Sequence, residues 1–292
     1  MRISEGENVS AALPVNDAVG LFRKVSSGRR LVWGAGKNES TGSTMIISKP
    51  NVFTRVVSVG ILTLAVAIAA RAQSVALLYD LRHTTDSANN PRNFTEVEFK
   101  YFKALSFGPF LMKEEIDLNG ANDNASKIYT QLSQGIALGS TSVNLHLGYS
   151  GGLGLFDNAT GGYYLQNCYE LGLEHPFSWG TAFGNAYAAL RYTNAQRPSY
   201  DPMLVVYLGR FFSNYKILGS VDLEVWTTNR NLGDPWNSNL SGKTVSCLIE
   251  AEFWVKIRGK LSAGTLTRIT YNVYANSNRW LVYPTIGLKY DF

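Results

Sequence analysis

The residues of this chain best able to do covalent chemistry are His146 and Ser150, in the stretch His146-Leu147-Gly148-Tyr149-Ser150. A histidine activates a serine only across a hydrogen bond. On an extended strand the two share a face but stand roughly 13 Å apart, at ~3.4 Å per residue. Gly148 holds the place a nucleophile would need. The other histidines, His83 and His175, are isolated near segment ends, and no cysteine–histidine group has zinc spacing. Gly34-Ala35-Gly36-Lys37 hints at a phosphate loop, yet Leu31 and Asn38 stand where that pattern needs glycine and a hydroxyl. Neither a metal nor a cofactor is expected, and the chain is not expected to be an enzyme. What remains is charge at alternate positions: Glu96, Glu98 and Lys100; Lys113, Glu115 and Asp117; Asp222 and Glu224; Glu250 and Glu252. Spacing of two places such groups on one face of a strand, where they pair with each other or sort solutes by charge.

The elements that position them are strands. In residues 279–292 the even positions are Trp, Val, Pro, Ile, Leu, Tyr and Phe, and the odd ones are mainly polar. Val245, Cys247, Ile249, Ala251, Phe253 and Val255 share a face opposite Glu250, Glu252 and Lys256. Val143, Leu145, Leu147 and Tyr149 do the same opposite Asn144 and His146. About twelve such segments follow residue 73, with no convincing helical period. Their length suits tilted membrane strands, which need about 9–11 residues. Short turns at 106–108, 139–140, 178–180, 213–215 and 258–259 alternate with longer polar loops near 84–92, 119–125, 152–161, 194–200, 229–243 and 274–278. A soluble sandwich has no reason for that alternation, whereas membrane barrels carry short turns on one side and long loops on the other. The expectation is an all-β, transmembrane, antiparallel up-and-down β-barrel of about twelve strands over residues 73–292. Two faces are ambiguous: Leu204, Val206 and Leu208 share parity with Arg210, and Gln134 sits on an otherwise apolar face.

The front of the chain is of another kind. Lys49 and Arg55 precede the apolar run Val56–Ala70, and Ala70-Arg71-Ala72 supplies a small-residue cleavage site. The run is shorter than the ~20 residues of a membrane helix. Residues 45–72 therefore read as a signal peptide cleaved between Ala72 and Gln73, and 1–44 as a non-native or disordered extension. The chain carries 27 basic and 22 acidic residues, and the nine basic and four acidic residues of 1–72 leave eighteen of each in 73–292. The basic excess belongs to the front, so no nucleic-acid polymer is expected as partner. Cys168 faces inward and Cys247 outward by parity, which argues against a disulfide between them.

If the polar faces point inward, the lumen holds Asp80, Arg82, Glu96, Glu98, Lys100, Lys113, Glu115, Asp117, Glu170, Glu174, Arg191, Asp222, Glu224, Glu250, Glu252, Lys256, Arg268 and Lys289. Two roles compete for them: a structural network filling a narrow barrel, or the lining of a hydrated path for small polar solutes. Twelve strands fall between side-chain-filled eight-stranded barrels and open sixteen-stranded porins. The terminal aromatics Tyr290 and Phe292 are expected to signal insertion to the barrel-assembly machinery. The outer face is expected to meet outer-membrane lipid, and the location to be the bacterial outer membrane.

Thr95-Glu96-Val97-Glu98-Phe99-Lys100-Tyr101-Phe102, the acidic Glu114-Glu115-Ile116-Asp117 and the ending Gly287-Leu288-Lys289-Tyr290-Asp291-Phe292 resemble the nucleoside-specific channel-forming outer-membrane protein family. The ending differs from that family's Gly-Tyr-Asn-Phe by an aspartate for the asparagine. The resemblance implies a passive channel for small polar solutes, with nucleosides as the substrate class. The alternatives are a structural or adhesin-like barrel with a plugged lumen and, more remotely, an outer-membrane lipid hydrolase. For the last, His146 and Ser150 lie on the inward face while a lipase must meet lipid.

Overall fold

The computed structural model describes residues 73–120, 123–155, 162–234, 237–273 and 278–292. The signal peptide, the extension before it and the cleavage-site residues Ala70 and Ala72 lie outside them. Twelve strands close into one barrel, each antiparallel to its neighbours in sequence, with the first paired to the last. They are β1 (Ser74–Asp80), β2 (Phe94–Leu105), β3 (Gly108–Leu118), β4 (Lys127–Ala137), β5 (Asn144–Leu155) and β6 (Gly162–Trp179). They continue as β7 (Ala182–Asn194), β8 (Ser199–Phe212), β9 (Ile217–Asn229), β10 (Lys243–Arg258), β11 (Leu261–Tyr271) and β12 (Trp280–Asp291).

Alternation decides which face each side chain takes. On β12, Ile286 is 56 % exposed and its neighbour Thr285 is 0 % exposed, so the apolar parity points out and the polar parity in. Leu147, Leu171, Leu173, Leu190 and Leu204 are likewise exposed. A solvent-facing surface of this kind is unstable in water and suits hydrocarbon. Register-paired tyrosines Tyr149, Tyr169, Tyr192 and Tyr200 cross the outside of β5–β8, one per strand. Phe177 with Trp179, and Tyr290 with Phe292, sit near the short turns. Amphipathic rings in such places match the interfacial girdles of membrane barrels.

Both ambiguous strands resolve. On β8, Asp201, Met203 and Val205 are buried while Tyr200, Leu204 and Leu208 are exposed. Arg210 is therefore outward, near the strand end, over the ring of Phe212 at 5.2 Å. Gln134 is outward too, and its amide is satisfied by donating to the carbonyl of Pro109 at 3.1 Å. One outward carboxylate was not foreseen: Glu114 accepts a hydrogen bond from Thr130 Oγ1 at 3.1 Å on the neighbouring strand.

Some boundaries differ from the sequence pattern. The β4–β5 connection spans six residues, 138–143, and the β7–β8 connection only four, 195–198, so loop lengths alternate less strictly than the polar composition suggests. The first loop opens with a one-turn helix, α1 (Arg82–Thr85), below the length that gives a readable period. The pairing of β5 and β6 slips between Ser150 and Gly152, which moves Leu165 and Tyr163 to the parity opposite that of the lower strand. Gly152 is required there, because a Cβ would stand 2.0 Å from the carbonyl oxygen of Ile128.

The face assignment has a direct consequence. Leu171→Arg, in the middle of β6, is expected to lower the unfolding free energy in lipid vesicles by about 2–4 kcal/mol. Urea titration followed by tryptophan fluorescence measures it. Wild-type stability in that variant would show that β6 does not present this face to lipid.

Candidate functional site

The interior is built by four strands that bring like charges side by side. β2 and β3 pair Glu98 with Glu115 and Lys100 with Lys113, and β9 and β10 pair Asp222 with Glu250. Like charges in register repel. The barrel resolves this with cations that pair both along the wall and across the lumen. Arg268 of β11 grips Glu96 of β2 with both terminal nitrogens, at 2.7 and 2.6 Å. Its Nε donates to Glu250 at 2.8 Å, and Nη2 lies 3.0 Å from Glu115. Lys113 Nζ lies 2.7 Å from Glu115, 2.5 Å from Glu250 and 3.7 Å from Glu98. Lys100 bridges Glu98 at 3.1 Å and also bonds Glu252, which accepts the Trp254 Nε1–H at 2.7 Å.

Between these strands stand β1 and β12, whose inward residues Ala76, Leu78 and Gly287 are short or apolar and leave the charges room to meet. Glu96 is 1 % exposed, Arg268 2 %, Glu98 3 % and Lys113 6 %. The Lys100 and Glu252 side chains of this network, at 26 % and 12 %, remain more accessible. Beside it Ala76, Leu78, Trp254 and Leu266 form an apolar cluster, and Lys289 lies over the Trp254 ring at 4.9 Å. Glu96, Glu98, Glu115 and Glu250 all face the interior, as their parity predicts, and each lies in an ion pair there.

A second cluster occupies β5–β7. The His146 ring stacks on Tyr187 at 3.9 Å, with Nδ1 3.0 Å from Glu174 and Nε2 3.5 Å from Glu170. Asn144 and Asn185 donate to Glu174 at 3.0 and 3.3 Å, and the Tyr187 hydroxyl donates to Glu170 at 3.3 Å. Gly135 makes room for this cluster, since a Cβ there would lie 1.9 Å from Glu174 Oε1. Both nitrogens of His146 face carboxylates and neither faces Ser150, so the geometry assembles no serine–histidine pair.

Toward the long loops the charges pair locally. Arg191 donates to Cys168 Sγ at 3.1 Å and lies over Trp226 at 4.6 Å. Lys127 meets Asp117 and Lys243 meets Asp201, each at 2.7 Å. Arg82 belongs to α1 rather than to a strand. It pairs with Asp80 at 2.7 Å and lies over Phe94 and Tyr283, 4.7 and 4.5 Å from the ring centroids, tying β2 to β12 beyond the end of the short β1. Lys256 is exposed at the foot of β10. Asp222 and Glu224 form no ion pair with a described residue, and Asp222 Oδ1 is buried without a hydrogen-bond partner. Tyr290 and Phe292 face outward, and the Phe292 amide bonds the carbonyl of Gln73 at 2.9 Å. Both cysteines are free and buried.

Sequence reasoning missed Asp201, Tyr187 and the space-making glycines. Asp201 was hidden because the parity of β8 was ambiguous, and assigning Arg210 to a strand end would have revealed it. Oxygens of Glu96, Glu98 and Glu115 lie within 4.8 Å of one another, a spacing open to a metal, but Arg268, Lys113 and Lys100 already bind these carboxylates.

Fold and interior define a transmembrane antiparallel barrel of twelve strands with a charged interior. The chain belongs to the family described as "Domain of unknown function (DUF5020)", whose model matches residues 72–292. No curated protein matches it. Among solved structures it is similar to LpxR from Salmonella typhimurium, at 9 % identity over 75 % of this chain and 100 % of that one, with a TM-score of 0.40. It is also similar to a porin refined at 1.8 Å resolution, at 11 % identity over 74 % of this chain and 72 % of that one, with a TM-score of 0.33.

Gly135→Ala tests the second cluster. The added methyl must displace Glu174, and a cost of about 1–3 kcal/mol in urea unfolding is expected. An unaltered midpoint would mean that Glu174 does not occupy the position over Gly135.

Proposed function

We propose that this chain is an outer-membrane barrel that is closed at rest, its lumen plugged by its own ion pairs. The observation that carries the reading is the grip of Arg268 on Glu96, Glu115 and Glu250, joined by Lys113, from one wall of the barrel to another. Such a barrel serves as a structural element of the membrane or as a platform for its long loops. It does not hold a standing diffusion path.

One observation favours a second reading, a narrow channel for small polar solutes. Asp222 and Glu224 on β9 are only partly buried and carry no cation partner among the described residues. A slit beside the plug on that side would prefer cations or neutral polar solutes to anions. For nucleosides the support is the resemblance alone, and the residues that carry it, Glu96, Glu98 and Lys100, take part in the plug. A lipid hydrolase finds no support in the site, because His146 is held between carboxylates and faces the interior.

Export and assembly complete the proposal. Cleavage after Ala72 agrees with the start of the family match at residue 72 and of β1 at Ser74. Tyr290 and Phe292, outward at the end of the last strand, would present the insertion signal to the assembly machinery. Sequencing of the membrane-extracted protein is expected to begin at Gln73, and a membrane form retaining residues 45–72 would contradict it.

Planar-bilayer recording tests the closed lumen. Wild-type protein is expected to show no steady conductance, whereas Arg268→Ala/Lys113→Ala, which leaves the carboxylates repelling one another, is expected to conduct and to favour cations. Steady wild-type conductance with nucleoside uptake by proteoliposomes would replace the plugged reading with the channel.

A further inference from the structure

At the long-loop end four cations are paired, Arg82 with Asp80, Lys127 with Asp117, Lys243 with Asp201 and Arg92 with Asp123, while Arg197 and Arg279 are exposed without an ion pair to a described residue. At the short-turn end the outward cations are unpaired. Lys103, Arg210, Lys216, Arg258 and Lys260 are all exposed, and none forms an ion pair with a described residue. Among the described residues flanking those turns, the one acidic side chain is Asp291.

The β8–β9 and β10–β11 turns lie side by side. The Lys256 amide bonds the carbonyl of Lys216 at 2.8 Å, and the Asp291 amide bonds that of Lys260 at 3.0 Å. Lys103 carries the same charge to the turn between β2 and β3, two strands beyond the β1–β12 seam. Directly inward along the wall come exposed apolar groups: Ile257 at 60 % exposure, Phe212 at 42 % and Tyr290 at 43 %. Cations at the border of an apolar belt stand at the level of lipid phosphates, and each Lys or Arg there attracts an anionic surface.

We propose that these five cations form a collar that binds the anionic headgroups of phospholipids in the leaflet at the short-turn end. It rests on the reading of this chain as a membrane barrel. Arg210, Lys216, Arg258 and Lys260 group on the adjoining strands β8–β11, with Lys103 apart on β2, and the exposed apolar belt directly beside them, which a soluble acidic protein would leave uncovered, is what favours lipid.

The test folds the protein into phosphatidylcholine vesicles with and without phosphatidylglycerol. Spin-labelled lipids then give the relative association constant of the two headgroups at the barrel wall. Phosphatidylglycerol is expected to be preferred several-fold, and the preference is expected to shrink in about 1 M salt, where the Debye length is about 3 Å. Lys216→Glu/Arg258→Glu/Lys260→Glu is expected to abolish it, while Lys216→Arg/Lys260→Arg keeps it. Lys103→Glu, on a separate turn, is expected to lower it even if the triple variant does not fold. Equal association of both lipids with wild type overturns the collar, as does an unchanged preference in Lys103→Glu and the folded triple variant. Equal lipid association together with capture of soluble polyglutamate would assign the cations to an acidic protein. Failure to insert into either vesicle would refute the membrane reading itself, and the collar with it.

Discussion

The charge network between β2–β3 and β10–β11 depends on the Arg268 guanidinium. A barrel with lipid outside places most of its apolar residues on that face, so the interior receives the charged side chains. Charges taken out of water are costly unless each is paired and hydrogen-bonded. Arg268 meets that demand for Glu96, Glu115 and Glu250 together, and Lys113 and Lys100 extend the pairing to Glu98 and Glu252. Five carboxylates thereby share three cations. Each cation links the β2–β3 side to the β10–β11 side, and these bridges draw the two walls together. The short and apolar inward residues of β1 and β12, Ala76, Leu78 and Gly287, are the counterpart: bulk there would hold the charges apart.

Much of this was legible in the residues. Strict alternation in 279–292 predicted the outward row of Trp280, Val282, Ile286, Leu288 and Tyr290, and β12 carries it as expected. The same alternation put Glu96, Glu98, Glu250 and Glu252 inward. What alternation cannot supply is distance across a closed sheet. Parity says that Arg268 and Glu96 share a lumen, not that they touch, because contact depends on barrel radius, strand stagger and the size of the residues between. A hydrated lining and a plug are therefore identical as patterns and differ only in closure. For the same reason Gly135 and Gly148 read as weak strand residues, when their role is to clear space for Glu174 and Glu170.

The outside follows a separate logic. Its apolar wall, tyrosine row and unpaired basic turns are adjustments to a layered solvent: hydrocarbon, then an interface, then charged headgroups. The interior is balanced against itself and the surface against the membrane. Glu114, outward and bonded to Thr130, is an exception, and nothing in the structure explains why a carboxylate stands on that face.

The account stands on contact across the lumen, and a double-mutant cycle tests that contact most directly. Arg268→Met, Glu96→Gln and the double variant are unfolded by urea in vesicles beside the wild type. Residues separated by two intervening strands are predicted to couple by about 1–3 kcal/mol, as partners in one buried network do. Effects additive to within about 0.3–0.5 kcal/mol would contradict the pairing and leave the lumen unplugged.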